Sequence, residues 1–148
     1  MEIVDRSPAL PGAPFYSAQI ADPSARVAEI NAALDALEGA LSLGERDRFV
    51  ARLCLDEAIT NACEHGELET SDPVEISLTL DPPGWILRVC DSGPGYDPVA
   101  HSEREVDPLA EGGRGLPILD GYGERLILAN RGREVTVWLR VAAEEPTS

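Results

Sequence analysis

Lysine is absent from this sequence: all 12 residues counted as lysine or arginine are arginines. The absence excludes a P-loop lysine, a Schiff-base lysine and the acylation chemistry of Ser-x-x-Lys motifs. Any phosphate that the protein binds must therefore be held by backbone amides, by arginine or by a metal ion.

Histidine and cysteine are also scarce, with two and three residues. The cysteines, Cys54, Cys63 and Cys90, are odd in number, widely spaced and set among apolar residues, which is typical of reduced core residues. No spacing of cysteine and histidine indicates a zinc site. Positive charge is limited as well, since the net charge is −15. This balance disfavours direct nucleic-acid binding, which needs a basic face, and fits solubility and a basic protein partner about equally.

Long hydrophobic runs are missing, and the first residues lack both the basic and the apolar segments of a signal peptide. From these absences we expect a cytoplasmic protein with no membrane contact. A length of 148 residues suits one domain with its own core.

Two helices are predicted in the first half of the chain. Asp22-Pro23 has the pattern of an N-cap followed by proline at the first helical position. An apolar stripe follows at steps of three and four residues, at Val27, Ile30, Leu34, Leu37 and Leu41. The second helix is expected from about Glu45 to Glu64, ending near Gly66. Its apolar face comprises Ala51, Cys54, Leu55, Ala58, Ile59 and Ala62.

The other segments predict strands. Apolar and polar residues alternate beyond Pro73, and Asp-Pro-Pro-Gly connects that strand to the next. A short helix is expected after Gly115, because Pro117 is tolerated only in a first turn. The remaining strands are predicted around 15–21, 126–128 and 135–139. The order is strand, two helices, two strands, helix, two strands, which predicts an α+β fold with a mainly antiparallel sheet and helices on one face.

Glu57 and Asn61 are the first candidates for a functional role. They are four residues apart in the second helix, so they lie roughly 40° apart at the margin of its apolar face. A carboxylate and an amide at a core margin are costly unless they are used. An ordinary polar helix edge is the alternative.

Two glycine-rich segments follow. Asp91 stands at a strand end before Gly93 and Gly95, where its carboxylate could accept from an exocyclic amine such as that of adenine. A turn with an Asx motif explains the same residues. Gly112, Gly113 and Gly115 precede a helix, and amides of such a loop bind phosphate, with Arg114 adding charge. A plain loop is the alternative here.

Together, "DEAITNACEHG", "VCDSGPGYDP" and "GGRGLPILDGYGERL" resemble, in order and spacing, the N, G1 and G2 boxes of the GHKL (HATPase_c) ATP-binding superfamily. Within it the chain resembles the anti-sigma-factor serine/threonine kinases of the RsbW type. The resemblance covers residues 15 to 141 and implies a Bergerat-type two-layer α/β sandwich. We therefore expect an ATP-binding kinase domain over 14–141, a flexible N-terminal lead over 1–13 and a polar tail over 142–148.

The resemblance also implies roles for individual residues. Glu57 would be the general base and Asn61 the Mg²⁺ ligand within the ATP site. Asp91 would meet the adenine amino group, with Gly93 and Gly95 lining the base pocket. The segment 97–111 would be the mobile ATP lid. Phosphate contacts would come from the second glycine-rich segment, at Gly113, Arg114, Gly115 and Leu116.

One position departs from the family pattern, which commonly has a threonine in the last strand on the adenine side. Alternation in "EVTVWLR" puts Val135 there and turns Thr136 to the opposite face. The departure bears on nucleotide affinity more than on the fold.

The function implied is that of a partner-switching kinase. It would phosphorylate a STAS-domain anti-anti-sigma factor with Mg-ATP, and sequester a sigma factor or similar regulator when free of it. A homodimer is also implied. A histidine-kinase catalytic domain is the nearest enzyme alternative, disfavoured because no phospho-acceptor helix is seen. The gyrase, chaperone and mismatch-repair relatives need a second domain, for which 148 residues leave no room, so they are disfavoured as well. A sequestering module without phosphotransfer and a non-catalytic α+β domain remain open.

Overall fold

A computed structural model of the chain describes residues 1–65, 73–91 and 115–141. These ranges contain six strands, three α-helices and one 3₁₀ turn. In chain order they are β1 (Glu2–Ile3), β2 (Tyr16–Ile20), the 3₁₀ turn (Pro23–Ala25), α1 (Arg26–Ala40), α2 (Glu45–His65), β3 (Val74–Asp81), β4 (Gly84–Cys90), α3 (Gly115–Tyr122), β5 (Arg125–Ala129) and β6 (Glu134–Arg140).

The strands form one six-stranded sheet in the order β1-β5-β6-β4-β3-β2. Every pairing is antiparallel except that of β1 with β5. β3 and β4 are joined by the predicted Asp-Pro-Pro-Gly hairpin, in which Asp81 pairs with Gly84. The mixed α+β class and the mainly antiparallel sheet are thereby confirmed.

The three helices cover one face of this sheet, and the core lies between the two layers. α1 packs on β2, α2 on β3 and β4, and α3 on β5 and β6. The period-two alternation of the strands turns their aliphatic residues to this side. Full burial of such a side chain is worth about 1.5–3 kcal/mol. The buried strand residues of this core are Ile20, Val74, Ile76, Leu78, Trp85, Leu87, Val89, Leu126, Leu128, Val135, Val137 and Leu139. We call the opposite side of the sheet the open face.

The helices largely follow the sequence pattern. The six predicted apolar residues of α2 are each at most 3% exposed. In α1 the stripe is buried at Ile30, Leu34 and Leu37, but Val27 is 62% exposed. Val27 lies in the first turn of α1, one turn before the first buried residue of the helix, so its predicted core position was wrong. The predicted N-cap was wrong for α1, which begins at Arg26 with Ala25 at its N-cap position and no side-chain cap. Asp22 instead caps the preceding 3₁₀ turn, where its Oδ1 accepts a hydrogen bond from the Ser24 amide at 2.9 Å.

The first residues of the chain differ from the expected loose lead. Glu2–Ile3 form the parallel edge strand β1, in which Glu2 pairs with Ile127. The Glu2 carboxylate also receives two hydrogen bonds from the Arg125 guanidinium, at 3.0 and 3.1 Å. Arg125 in turn lies 5.0 Å from the centroid of the Trp138 ring. A two-residue strand held by long-range contacts leaves no periodic signal in the sequence, which is why the pattern predicted five strands.

Candidate functional site

Asp91 lies where β4 leaves the sheet. Its backbone amide donates to the Arg133 carbonyl at 2.8 Å, which extends the β4–β6 ladder by one position beyond Cys90 and Glu134. Alternation turns the Cys90 side chain to the open face, and the next residue, Asp91, to the helix face. Asp91 is therefore fixed at its backbone and placed beneath the helix layer.

The first turn of α3 faces the same end of the sheet. The helix ends where Gly123 donates to the Leu119 carbonyl at 2.8 Å, and β5 begins at Arg125, opposite Trp138 near the end of β6. From there β5 runs towards the sheet end that contains Asp91. The last turn of α3 is joined to Arg125 by a short connection, and α3 packs on β5 and β6, so the helix runs antiparallel to β5. Its first residue, Gly115, is therefore placed on the Asp91 side. The first amides of a helix have no partner within that helix, so they are available to a ligand.

α2 contributes the predicted carboxylate and amide. Glu57 is half-buried, whereas Asn61 is only 7% exposed. The neighbours of Asn61 on the apolar face, Ala58 and Ala62, are at most 3% exposed. Within the part of the chain that the structure describes, the Asn61 side chain makes no hydrogen bond. Its amide is not among the fully buried polar atoms without a partner in the described ranges, so it still reaches solvent and is open to a ligand at the margin of an apolar face.

The connection from α2 to β3 shows at which end of the sheet the C-terminal half of α2 lies. The chain leaves α2 at His65 and enters β3 at Val74, at the sheet end where Glu75 pairs with Cys90. α2 also packs directly against α3. The sheet topology therefore directs three predicted site elements to one end of the helix face: the C-terminal half of α2, the end of β4 and the beginning of α3.

Several predicted site residues lie outside the described ranges: Gly93, Gly95, Gly113, Arg114 and the expected lid over 97–111. Leu116 is described, and it is 8% exposed within the hydrophobic core. Its side chain is therefore a packing element, and a phosphate contact from this residue would have to come from its backbone amide. The individual roles given to these residues stay predictions.

The strand position that departs from the family pattern is located as the alternation predicted. Val135 is 4% exposed and belongs to the core beneath the helices. Thr136 is fully buried and faces the other way, where its Oγ1 accepts a hydrogen bond from Arg88 Nε at 3.1 Å. No hydroxyl from these two positions is available on the helix face.

Burial and, to a smaller extent, nearby carboxylates raise the pKa of two cysteine thiols. Burial raises the pKa of Cys54 to about 12, and the nearby Glu57 carboxylate adds to the shift. Burial likewise raises the pKa of Cys90 to about 12, with further increases from Glu134, Glu75 and Asp91 that exceed the lowering by Arg88. The three cysteines are free, and these two thiols are protonated at neutral pH.

A nucleotide with a divalent cation fits these residues. In the described ranges no group of three or more histidine, cysteine, aspartate or glutamate residues is arranged to hold a metal ion. Mg²⁺ at nucleotide sites commonly takes only one or two protein ligands, and the substrate phosphates and water complete its shell. The buried Asn61 amide, with a free oxygen as ligand, meets that requirement, and a cation also suits the negative charge of Glu57.

Sequence reasoning missed a second polar cluster, on the open face. The Nε of Arg88 lies 2.8 Å from Glu134 Oε1, which makes the two residues an ion pair. The N–H at Nε donates to Thr136, so Glu134 Oε1 accepts no well-aligned hydrogen bond. A signal was present, because an arginine inside the apolar strand "WILRVC" needs a buried partner. Next to Arg88 is a groove of about 360 Å³, lined by Ser17, Ala18, Gln19, Glu75, Ile76, Ser77, Arg88 and Cys90. Among the predicted site residues that the structure describes, none lines this groove.

None of the helices in the described ranges combines the length and apolar character that a bilayer crossing requires. Among solved structures, the NMR structure of the histidine kinase domain of the E. coli osmosensor EnvZ is similar, with a TM-score of 0.44 and 17% sequence identity. The match covers 93% of this chain and 95% of that chain. Comparison with curated proteins gave no significant match.

The family comparison covers most of the domain. The family model described as the histidine kinase-like ATPase domain matches residues 20–141, from the end of β2 to the residue after β6. That range includes α2, the end of β4 and the beginning of α3, the three elements that meet at the candidate site. The chain therefore belongs to the histidine kinase-like ATPase domain family.

Proposed function

We propose that the protein is a Mg-ATP-dependent serine/threonine kinase that works in a partner switch. The observation behind this proposal is the pair on α2: a half-buried Glu57 one helical turn before a buried Asn61 that has no hydrogen-bond partner in the described ranges. The pair lies in the region that the family model covers. A nucleotide site accounts for a nearly buried amide that stands at the margin of an apolar face and is open to a ligand.

Each residue has a distinct task in this proposal. Bound Mg-ATP supplies the γ-phosphoryl group. The side-chain oxygen of Asn61 would hold the metal ion, the Asp91 carboxylate would accept a hydrogen bond from the adenine amino group, and ADP would leave as the γ-phosphoryl group is transferred. Glu57 accepts the proton of the attacking hydroxyl, a role typically worth 10²–10⁴-fold in rate. The glycine segment before α3 and the first amides of that helix bind phosphate oxygens.

The partners in this proposal follow from the resemblance of the three sequence boxes to RsbW-type kinases. The substrate is a STAS-domain anti-anti-sigma factor, and the sequestered protein is a sigma factor or a similar regulator. A homodimer is part of the same proposal. The net charge of −15 suits a target with a basic surface.

A second candidate is a sequestering module that does not transfer phosphate. Val135 favours it, because the strand position that commonly has a threonine contributes only a core methyl surface here. Weak nucleotide binding would leave the protein to act by association alone. Retention of both Glu57 and Asn61 favours the kinase.

Phosphate transfer from ATP to a STAS-domain protein of the same genome tests the proposal. Glu57→Gln is expected to slow transfer by 10²–10⁴-fold while ATP affinity stays within about twofold. Asp56→Asn is the matched control, since the neighbouring carboxylate is exposed and bonds only to Thr60 in the described helix, at 3.0 Å. Transfer by Glu57→Gln at the wild-type rate would exclude the base role. A wild-type protein that binds its target but transfers no phosphate would favour the sequestering module.

A further inference from the structure

Residues 4–15, which we call the strap, cross the open face of the sheet. At one end the Val4 amide donates to the Leu128 carbonyl of β5 at 2.9 Å. At the other end the Phe15 amide donates to the Leu78 carbonyl of β3 at 2.9 Å. β5 and β3 lie on opposite sides of β6 and β4 in the sheet order, so the strap passes over these two central strands.

The strap covers residues that would otherwise meet water. Ile86, Ile127 and Thr136 alternate with the core-facing residues of their strands, so they face away from the helices. All three are nonetheless at most 1% exposed. Because the helices lie on the other side of the sheet, we infer that the strap, which crosses this face, provides the cover.

A polar clasp holds the middle of the strap. Ser7 donates a hydrogen bond from its hydroxyl to Glu134 Oε2, and the Pro8 carbonyl accepts one from Arg88 Nη2 at 2.6 Å. Asn130 Nδ2 also donates to Glu134 Oε2, at 3.0 Å, and lies 3.4 Å from the Ser7 hydroxyl. Glu134 is only 4% exposed. We define the clasp as these five residues: Ser7, Pro8, Arg88, Asn130 and Glu134.

The clasp is directly connected to the backbone that holds Asp91. Asn130 opens the β5–β6 turn with a φ of 53°, and Arg131 follows with a φ of 60°. Non-glycine residues in this region persist when their surroundings hold them. Arg133 closes the turn through its amide, which donates to the Asn130 carbonyl at 3.3 Å, and its own carbonyl accepts the Asp91 amide at 2.8 Å.

We propose that the docked strap positions Asp91 and thereby sets the affinity for nucleotide. Ser7 stabilises the orientation of Asn130 and Glu134, these two residues stabilise the β5–β6 turn, and the turn fixes the backbone of Asp91. Ser7 is thus a positioning residue on the sheet face opposite the helices. The consequence for nucleotide binding rests on the proposed function, whereas the effect on the Asp91 backbone does not.

Coupling of this kind is reciprocal. If strap release weakens nucleotide binding, bound nucleotide must favour the docked strap by the same factor. The strap therefore couples the open face of the sheet to nucleotide binding on the helix face, through the β5–β6 turn.

The test compares Ser7→Glu with Ser42→Glu. Ser7 is exposed, so the change is compatible with folding, and its new carboxylate lies against the buried Glu134 carboxylate and repels it. Ser42 is an exposed serine between α1 and α2, and its substitution adds the same charge away from the strap. Ser7→Thr keeps the hydroxyl and serves as the conservative variant.

Two quantities are measured for each variant: amide hydrogen exchange at Asp91 in the nucleotide-free protein, and the Kd of Mg-ATP by calorimetry. For Ser7→Glu we expect Asp91 exchange at least fivefold faster and a Kd at least threefold higher. Ser42→Glu and Ser7→Thr are expected to stay within twofold of the wild type in both.

The outcomes separate this inference from the proposed function. Unchanged Asp91 exchange in Ser7→Glu overturns the positioning role. Faster exchange with an unchanged Kd overturns the coupling to nucleotide. If the wild type binds no ATP, the proposed function fails, and Asp91 exchange alone still decides whether the strap positions this residue.

Discussion

Asn61 gives a prediction whose direction is unusual: Asn61→Leu should make the ligand-free protein more stable. The amide is 7% exposed on the apolar face of α2 and has no hydrogen-bond partner in the described ranges. Burying an amide fully and without a partner costs about 1–3 kcal/mol in protein mutational data. The Asn61 amide is not among the fully buried unsatisfied atoms, so only part of that cost applies. Leucine has nearly the same shape and no such cost, and we expect a gain of about 0.5–1 kcal/mol in the free energy of unfolding.

Urea denaturation followed by circular dichroism measures this gain, and calorimetry should show the melting temperature rising by about 1–4 °C. Asn31→Leu is the matched control. It makes the same change on an exposed position of α1, where the asparagine accepts an exposed hydrogen bond from Arg52 at 3.0 Å. Comparison with this control removes the part of the stability change that comes from the higher helix propensity of leucine. A loss of more than about 0.5 kcal/mol in Asn61→Leu, relative to this control, would show that the amide makes favourable contacts within the fold and is not kept for a ligand.

Two further predictions concern the open face and the thiols. Arg88→Met leaves the buried Glu134 carboxylate without its cation and should cost about 3 kcal/mol in urea denaturation, whereas Arg140→Met, in an exposed pair, should change stability by less than about 0.5 kcal/mol. Equal effects would contradict the role given to burial. Burial raises the pKa of Cys54 and Cys90 from 9.0 to about 12, so iodoacetamide at pH 8 should alkylate the folded protein far more slowly than the urea-unfolded one. Because the folded pKa is the higher one, stability should also fall as the pH rises from about 9 towards 12.

Much of the fold was predictable because its signals are local. The alternation of "VEISLTLD" and the Asp-Pro-Pro-Gly turn predicted β3, β4 and their hairpin, and the structure has Val74–Asp81 and Gly84–Cys90. The helix after Gly115 was expected from Pro117 in its first turn and is found as Gly115–Tyr122. The six apolar residues of α2 predicted its buried face for the same reason.

The features that were missed depend on long-range contacts. β1 is two residues long and exists through its pairing with β5. The clasp joins Ser7 to Glu134 across 127 positions of sequence. Val27 has the spacing of a core residue but lies in the first turn of α1, and periodicity does not reveal where a helix extends past its neighbours. Of the candidate site, the spacing of Glu57 and Asn61 was visible in sequence, and the convergence of α2, β4 and α3 required the topology.

In the proposed Mg-ATP site between α2 and the end of β4, Asp91 binds the adenine. Isothermal titration calorimetry of ATP, with Mg²⁺ and with EDTA, measures this binding for the wild type, for Asp91→Asn and for Asp81→Asn, a matched change at the far end of β3. A buried hydrogen bond to a charged group is worth about 1.5–3 kcal/mol, so Asp91→Asn should weaken binding by about tenfold or more. We expect Mg²⁺-dependent binding by the wild type and by Asp81→Asn at similar affinity. An unchanged affinity in Asp91→Asn would exclude Asp91 as the adenine contact, and no binding of ATP by the wild type in the presence of Mg²⁺ would exclude the site altogether.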